Sequence, residues 1–185
     1  MHKTLLGLAL FPILIIFMLI VGLSCGSNPP FAPSGSTVTI VDPPSAVSIP
    51  LNTTTSIRVQ ALVTGPDGVS PLDHVRVVWD LSFANPQSLV IDTNGDGVGD
   101  TPALQLINPD ACGGVNCEDL TIPELFAIKP LPFVKSPWET LTDNRGVSDV
   151  LVLINGDVHI QPATLEASLE NGSVAVVTFN VNATQ

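Results

Sequence analysis

Two runs in this chain carry residue types at spacings that could do chemistry. The first is Asp92-Thr93-Asn94-Gly95-Asp96-Gly97-Val98-Gly99-Asp100. Side-chain oxygens stand at its first, third, fifth and ninth positions, in Asp92, Asn94, Asp96 and Asp100. The Val98 carbonyl falls seventh, and the sixth position is glycine. Hard Ca²⁺ takes several oxygen ligands, and glycine at the sixth position lets the backbone turn sharply around the ion. A calcium loop is one reading; a solvated turn, which Asp, Asn and Gly favour by themselves, is the other. The second run is Cys112-Gly113-Gly114-Val115-Asn116-Cys117. In an exported protein two such cysteines are expected to form a disulfide, and the glycines ease closure of so small a loop. A zinc pair would lack a nearby His or further Cys to complete its tetrahedron. A redox-active pair normally has only two residues between its cysteines.

The 92–100 run resembles the calcium loops of dockerin and thrombospondin-type repeats. It departs from an EF-hand at the twelfth position, which is Ala103 where a bidentate Glu would stand. Asp110, Glu118 or Asp119 would have to complete the shell. Other chemistry is not legible. No G-x-S-x-G, H-E-x-x-H or glycine-rich phosphate loop occurs in the chain. His74 and His159 read as surface or strand residues, and the adjacent acids Glu118 and Asp119 as solvated. The chain is therefore expected not to be an enzyme. With 17 acidic and 6 basic side chains, net −11, it lacks the basic patch that nucleic-acid backbones require. At 45% hydrophobic and 12% charged residues it is not an acidic disordered tail. Its 17 prolines and 14 glycines suit a β-rich, turn-rich fold.

These residues need a compartment and a scaffold. His2 and Lys3 precede an uncharged run over residues 5–23, longer than an ordinary signal-peptide core and near the lower limit of a membrane span. The run ends in Gly22-Leu23-Ser24-Cys25-Gly26, which resembles a bacterial lipoprotein cleavage site. The resemblance implies removal of residues 1–24 and lipidation of Cys25 as the mature N-terminus. It departs from the usual pattern at Gly22, where Leu is preferred. An uncleaved anchor helix is the competing reading. Both place the remainder outside the cytoplasmic membrane. Gly26, in place of the Asp that retains many such lipoproteins at the inner membrane, favours the outer membrane where a cell has one. In a bacterium, the N-x-S/T sequences headed by Asn52, Asn171 and Asn182 are incidental. Residues 25–36 have the Gly, Ser and Pro composition of a linker.

From residue 37 onward the pattern is β. In 55–64, Ile57, Val59, Ala61 and Val63 share one face, with Arg58 and Gln60 on the other. In 75–83, Val75, Val77, Trp79, Leu81 and Phe83 share a face. Further strands are expected over 37–41, 147–154, 163–169 and 173–181. Asn171-Gly172 between the last two predicts a two-residue type I′ hairpin. The segments TSIRVQALVTGPDG, Thr142-Asp143-Asn144-Arg145-Gly146-Val147 and ATLEASLENGSVAVVTFNV, together with Trp79, resemble bacterial immunoglobulin-like domains of the invasin-like type. The resemblance implies an all-β, immunoglobulin-like β-sandwich over 37–185, used as a stalk, spacer or adhesion module. No cysteine lies where antibody domains join their sheets.

The stretch at about 92–138 shows little strand pattern and reads as a long insertion, where function concentrates. Its last part, IPELFAIKPLPFVKSPW, holds Phe126, Phe133 and Trp138 among four prolines and two lysines. These aromatics would bind a partner, or Leu125, Phe126, Ile128 and Phe133 would fold back over an end of the sandwich. The combined expectation is a lipid-anchored extracytoplasmic module for adhesion, binding or structure, ordered by Cys112–Cys117 and by Ca²⁺. Its partner would be an unidentified protein or polysaccharide. An accessory subunit of an envelope complex, docking through 122–138, is the alternative.

Overall fold

A computed structural model describes residues 31–44, 46–50, 54–83, 90–91, 101–102, 104–155 and 162–184. The apolar run, Cys25, and the loop carrying Asp92, Asn94, Asp96, Val98 and Asp100 lie outside the described residues. Among the described residues no helix is long and apolar enough to cross a membrane.

The strands in chain order are β1 (Thr37–Val41), β2 (Ala46–Pro50), β3 (Thr54–Thr64), β4 (Arg76–Phe83), β5 (Val90–Ile91), β6 (Thr101–Pro102), β7 (Leu104–Ile107), β8 (Phe133–Val134), β9 (Trp138–Leu141), β10 (Val147–Asn155), β11 (Ala163–Ser168) and β12 (Val174–Thr184). A first sheet has the order β1-β3-β10-β7-β8, and a second the order β2-β12-β11-β4-β9. A short β5–β6 pair stands apart. All pairings are antiparallel except β2 with β12. The seven principal strands are β1, β3, β4, β7, β10, β11 and β12. The first, second, fifth and fourth of them form one sheet, and the third, sixth and seventh the other. That is the constant-type immunoglobulin arrangement. The protein is an all-β immunoglobulin-like sandwich.

Alternation makes the core. Val59, Ala61 and Val63 of β3 face Val75, Val77, Trp79 and Leu81 of the chain entering and forming β4, and all are buried. Val150, Val152 and Ile154 of β10 and Ala163, Leu165 and Ala167 of β11 complete the layer. Each fully buried large aliphatic contributes about 1.5–3 kcal/mol relative to exposure. The Trp79 indole, 0% exposed, donates to Ser148 Oγ at 3.0 Å and Thr140 Oγ1 at 3.1 Å, so its one polar atom is satisfied.

β10 departs from simple alternation. Val150, Leu151, Val152, Leu153 and Ile154 are all buried, because both faces of this strand are covered. Leu151 and Leu153 point away from the main core into a second one with Ile107, Cys112, Cys117 and Leu125. The covering layer is the insertion, which lies over a sheet face and not over an end of the sandwich.

Three local expectations change. β7 lies inside 92–138, yet it is a principal strand, paired with β10 from Leu151↔Ile107 to Ile154↔Leu104. The inserted chain proper therefore begins after Ile107. LQLI is too short, and too dependent on its neighbours, to read as a strand unaided. The Asn171-Gly172 turn is not type I′. Gly172 has φ of 89°, but Asn171 is not among the positive-φ residues, and the Gly172 amide donates to the Leu169 carbonyl at 3.0 Å. This is a three-residue loop, a type I turn closed by a left-handed glycine. Residues 33–36, read as linker, are seated on the domain. The Asn171 carboxamide donates to the carbonyls of Pro33 at 3.0 Å and Ser36 at 2.9 Å. That second role takes Asn171 out of the two-residue turn.

Candidate functional site

The insertion is built from short, locally determined pieces. Asn108 begins a 3-10 turn at Pro109–Cys112, its side chain accepting from the Asp110 amide at 2.9 Å. Gly113 (φ 66°) and Gly114 (φ 88°) take left-handed backbone that other residues resist, turning the chain back toward Cys117. The disulfide Cys112–Cys117 forms as expected, with Cα atoms 5.6 Å apart. Both cysteines are buried, so the cross-link is part of the second core.

A second 3-10 turn, Cys117–Asp119, leads to helix α1 (Ile122–Ala127). The Glu124 carboxylate accepts from the Thr121 amide and hydroxyl, both at 2.7 Å. These bonds hold its pKa below the ordinary carboxylate value and fix where the helix starts. Leu125 points beneath α1 and is 0% exposed.

An ionic clasp ties this layer to the sheet. Arg58, on the outer face of β3, pairs through Nε with Glu118 at 3.0 Å and through Nη1 with Asp149 of β10. Beside it lies an open groove of about 290 Å³ lined by Arg58, Pro109, Asp110, Gly114, Val115 and Asn116. The guanidinium is already held by two carboxylates, so the groove offers a mostly neutralised polar surface.

The aromatics proposed for partner binding separate into two environments. Phe126 on α1 is 37% exposed, and its ring centre lies 4.9 Å from that of Phe133, which is half-buried against the second core. Trp138 sits across from Trp79 in the β4–β9 pairing and packs at the margin of the main core. Phe126 and Leu131 are large exposed apolar side chains of this stretch. Ser136 holds the return of this chain to the second sheet, its hydroxyl accepting from the Leu81 amide at 2.7 Å and donating to Asp80 at 2.5 Å.

Of the carboxylates named above to complete a calcium shell, Glu118 is engaged with Arg58, and Asp110 is an exposed residue of the first 3-10 turn. Among the described residues no three His, Cys, Asp or Glu side chains stand close enough to hold a metal.

Sequence reasoning missed a third constellation, where residues 31–38 meet the 169–173 hairpin. Asn171 clasps Pro33 and Ser36, Ser173 Oγ accepts from the Val38 amide at 3.0 Å, and the Arg76 guanidinium lies 5.4 Å from the Phe31 ring centre. Arg76 also pairs with Glu139 and Glu170. The signal for it was present as Asn-Gly, but that pair reads as a turn and does not say what its side chain holds.

No family model and no curated protein matches the chain. Solved structures give distant likenesses. PapD-like domain 7 of human CEP192 is 12% identical, with 88% of this chain and 92% of that one covered and a TM-score of 0.38. The Yersinia pseudotuberculosis adhesin InvE is 14% identical, covering 82% of this chain and 33% of that one, with a TM-score of 0.42. A conjugative transposon lipoprotein from Bacteroides eggerthii is 10% identical, covering 80% and 97%, at 0.36. The sandwich assignment rests on the strand order itself.

Proposed function

We propose that this chain is an extracytoplasmic lipoprotein, held to the cell envelope through Cys25, whose sandwich works as a non-enzymatic binding, adhesion or structural module. The observation that carries this reading is the buried Cys112–Cys117 disulfide, which forms the floor of the insertion. Disulfides of this kind persist in oxidising compartments outside the cytoplasm, and the apolar run ending at Cys25 supplies the route there. Gly26 favours the outer membrane where one is present. The 92–100 loop takes Ca²⁺ in this reading, through Asp92, Asn94, Asp96 and Asp100 side chains and the Val98 carbonyl. Metabolic labelling with a fatty acid tests the anchor: the label is expected on the wild-type chain and absent from Cys25→Ala. Label on both, or on neither, would overturn lipidation at this cysteine. Calcium binding is tested by a thermal melt with Ca²⁺ or chelator. A saturating ligand at 100 times its Kd adds about 2.7 kcal/mol, so a raised midpoint that Asp96→Ala abolishes is expected.

A second reading, an accessory subunit of an envelope complex, is favoured by Phe126 and Leu131, exposed by 37% and 45% beside Lys129 and Lys135. Stoichiometric co-purification of one envelope protein, lost in Phe126→Ser/Leu131→Ser, would support it over adhesion.

A further inference from the structure

The chain emerges from the sandwich at one defined pole. Thr37 pairs with Thr64, the turn after β3 closes through Gly65 and Ser70, and the His74 amide donates to the Thr142 carbonyl. The 169–173 hairpin tip completes this end, with Asn171 gripping residues 33 and 36. Four exposed large apolar side chains are gathered there. Phe31 is 49% exposed on Arg76, Val69 79% exposed on the turn, Leu141 51% at the end of β9, and Val174 50% at the start of β12.

The grip on residues 31–36 shortens the leash. From Cys25 to Phe31 there are six peptide steps, spanning at most about 22 Å at roughly 3.6 Å each. If the apolar run stayed as an anchor helix, the leash from Leu23 would be only two steps longer.

We infer that the pole bearing Phe31, Val69, Leu141 and Val174 rests against the lipid surface to which the N-terminus is anchored, so that the sandwich is held in one orientation. This rests on the membrane-anchored reading above. A leash this short keeps the pole within reach of the headgroups, and apolar side chains projecting from it gain by leaving water. Acidic side chains also line this end, Asp67, Asp73 and Asp143 among them, so the contact is apolar and not a response to anionic lipid. The opposite pole, where β4 and β10 end and β11 begins, then faces away from the membrane.

The test is hydroxyl-radical footprinting of the full chain in phosphatidylethanolamine liposomes and in detergent solution, with flotation to report attachment. Labelling of Phe31, Val69, Leu141 and Val174 is expected to fall in liposomes, while Val115 and Leu131 on the insertion stay unchanged. Phe31→Ser/Val69→Ser, both at exposed positions, should still float but lose protection at Leu141 and Val174. A chain that floats with all four residues labelled as in detergent would overturn the orientation and leave anchoring intact. A chain that does not float would overturn the anchoring reading, and the orientation with it. Equal protection of Val115 and Leu131 would also overturn it, because the insertion would then be the membrane-facing side.

Discussion

The Trp79 indole Nε1 lies 3.0 Å from the Ser148 hydroxyl oxygen, and this bond joins the two sheets across the core. Trp79 belongs to β4 and Ser148 to β10, whereas antibody domains join their sheets by a disulfide between the strands equivalent to β3 and β11, beside a tryptophan on the equivalent of β4. Thr140 of β9 accepts from the same indole and bonds Ser148 in turn, so a small closed polar network sits inside an apolar layer. Removing Ser148 alone leaves Thr140 as a partner, and Ser148→Ala is expected to cost about 1 kcal/mol. Thr140→Val/Ser148→Ala strands the buried N–H and should cost about 1–3 kcal/mol more than the lost bonds themselves. Urea denaturation of the two variants measures the difference; equal midpoints would sink the idea of a satisfied network.

Gly146 and Gly172 both have positive φ, 74° and 89°, but only one is crowded. A Cβ on Gly146 would lie 2.7 Å from the Val63 carbonyl oxygen and 2.8 Å from Pro71 Cβ, whereas nothing stands within 4 Å at Gly172. Gly172→Ala should cost the left-handed penalty alone, roughly 1–2 kcal/mol. Gly146→Ala must also push backbone apart, so its loss should be distinctly larger in the same denaturation experiment.

The disulfide closes a short loop, for which chain entropy predicts about 2 kcal/mol of stabilisation. Because both cysteines lie in the second core, Cys112→Ala/Cys117→Ala should loosen the insertion before the sandwich. Hydrogen exchange is expected to quicken at Leu125 and Ile128 while Val59 and Leu165 stay protected. Uniform loss of protection would show that the two cores melt as one.

Replacing Asn171 by Asp turns a donor into an oxygen facing the carbonyls of Pro33 and Ser36. Asn171→Asp should free residues 31–36, read as faster exchange of the Ser36 and Val38 amides, at a cost of about 1–3 kcal/mol.

Asp67 accepts from the Ser70 hydroxyl, the Ser70 amide and the Val69 amide, and these bonds lower its pKa from 3.8 to about 2. A depressed carboxylate stabilises the fold above its unfolded pKa, and that contribution is lost as pH falls through the folded one. The turn at 65–70 should therefore hold down to pH 3.8 and loosen toward about 2. A carboxyl-carbon NMR titration of Asp67 with a midpoint near the ordinary value would refute this.

Much of the sandwich was legible because its strands carry their own signal. Ile57-Arg58-Val59-Gln60-Ala61 and Val75 to Leu81 alternate, and alternation reports a half-buried strand without knowledge of its partner. β7 was hidden, since LQLI becomes a strand only through its pairing with β10 and β8. The disulfide was legible from spacing and compartment. The split of Phe133 and Trp138 between two cores was not, because one is buried by α1 and β10 and the other by β4, segments far apart in the chain.

The sequence by itself determined the β class, six of the seven principal strands and the cysteine pair, because each is a property of composition or of neighbours a few residues apart. Tertiary structure alone decided that the insertion roofs the outer face of β10, that Trp79 reaches Ser148, and that Asn171 holds residues 33 and 36. The last two join segments separated by 69 to 138 positions, and only the packing of the two sheets brings such segments within hydrogen-bond reach.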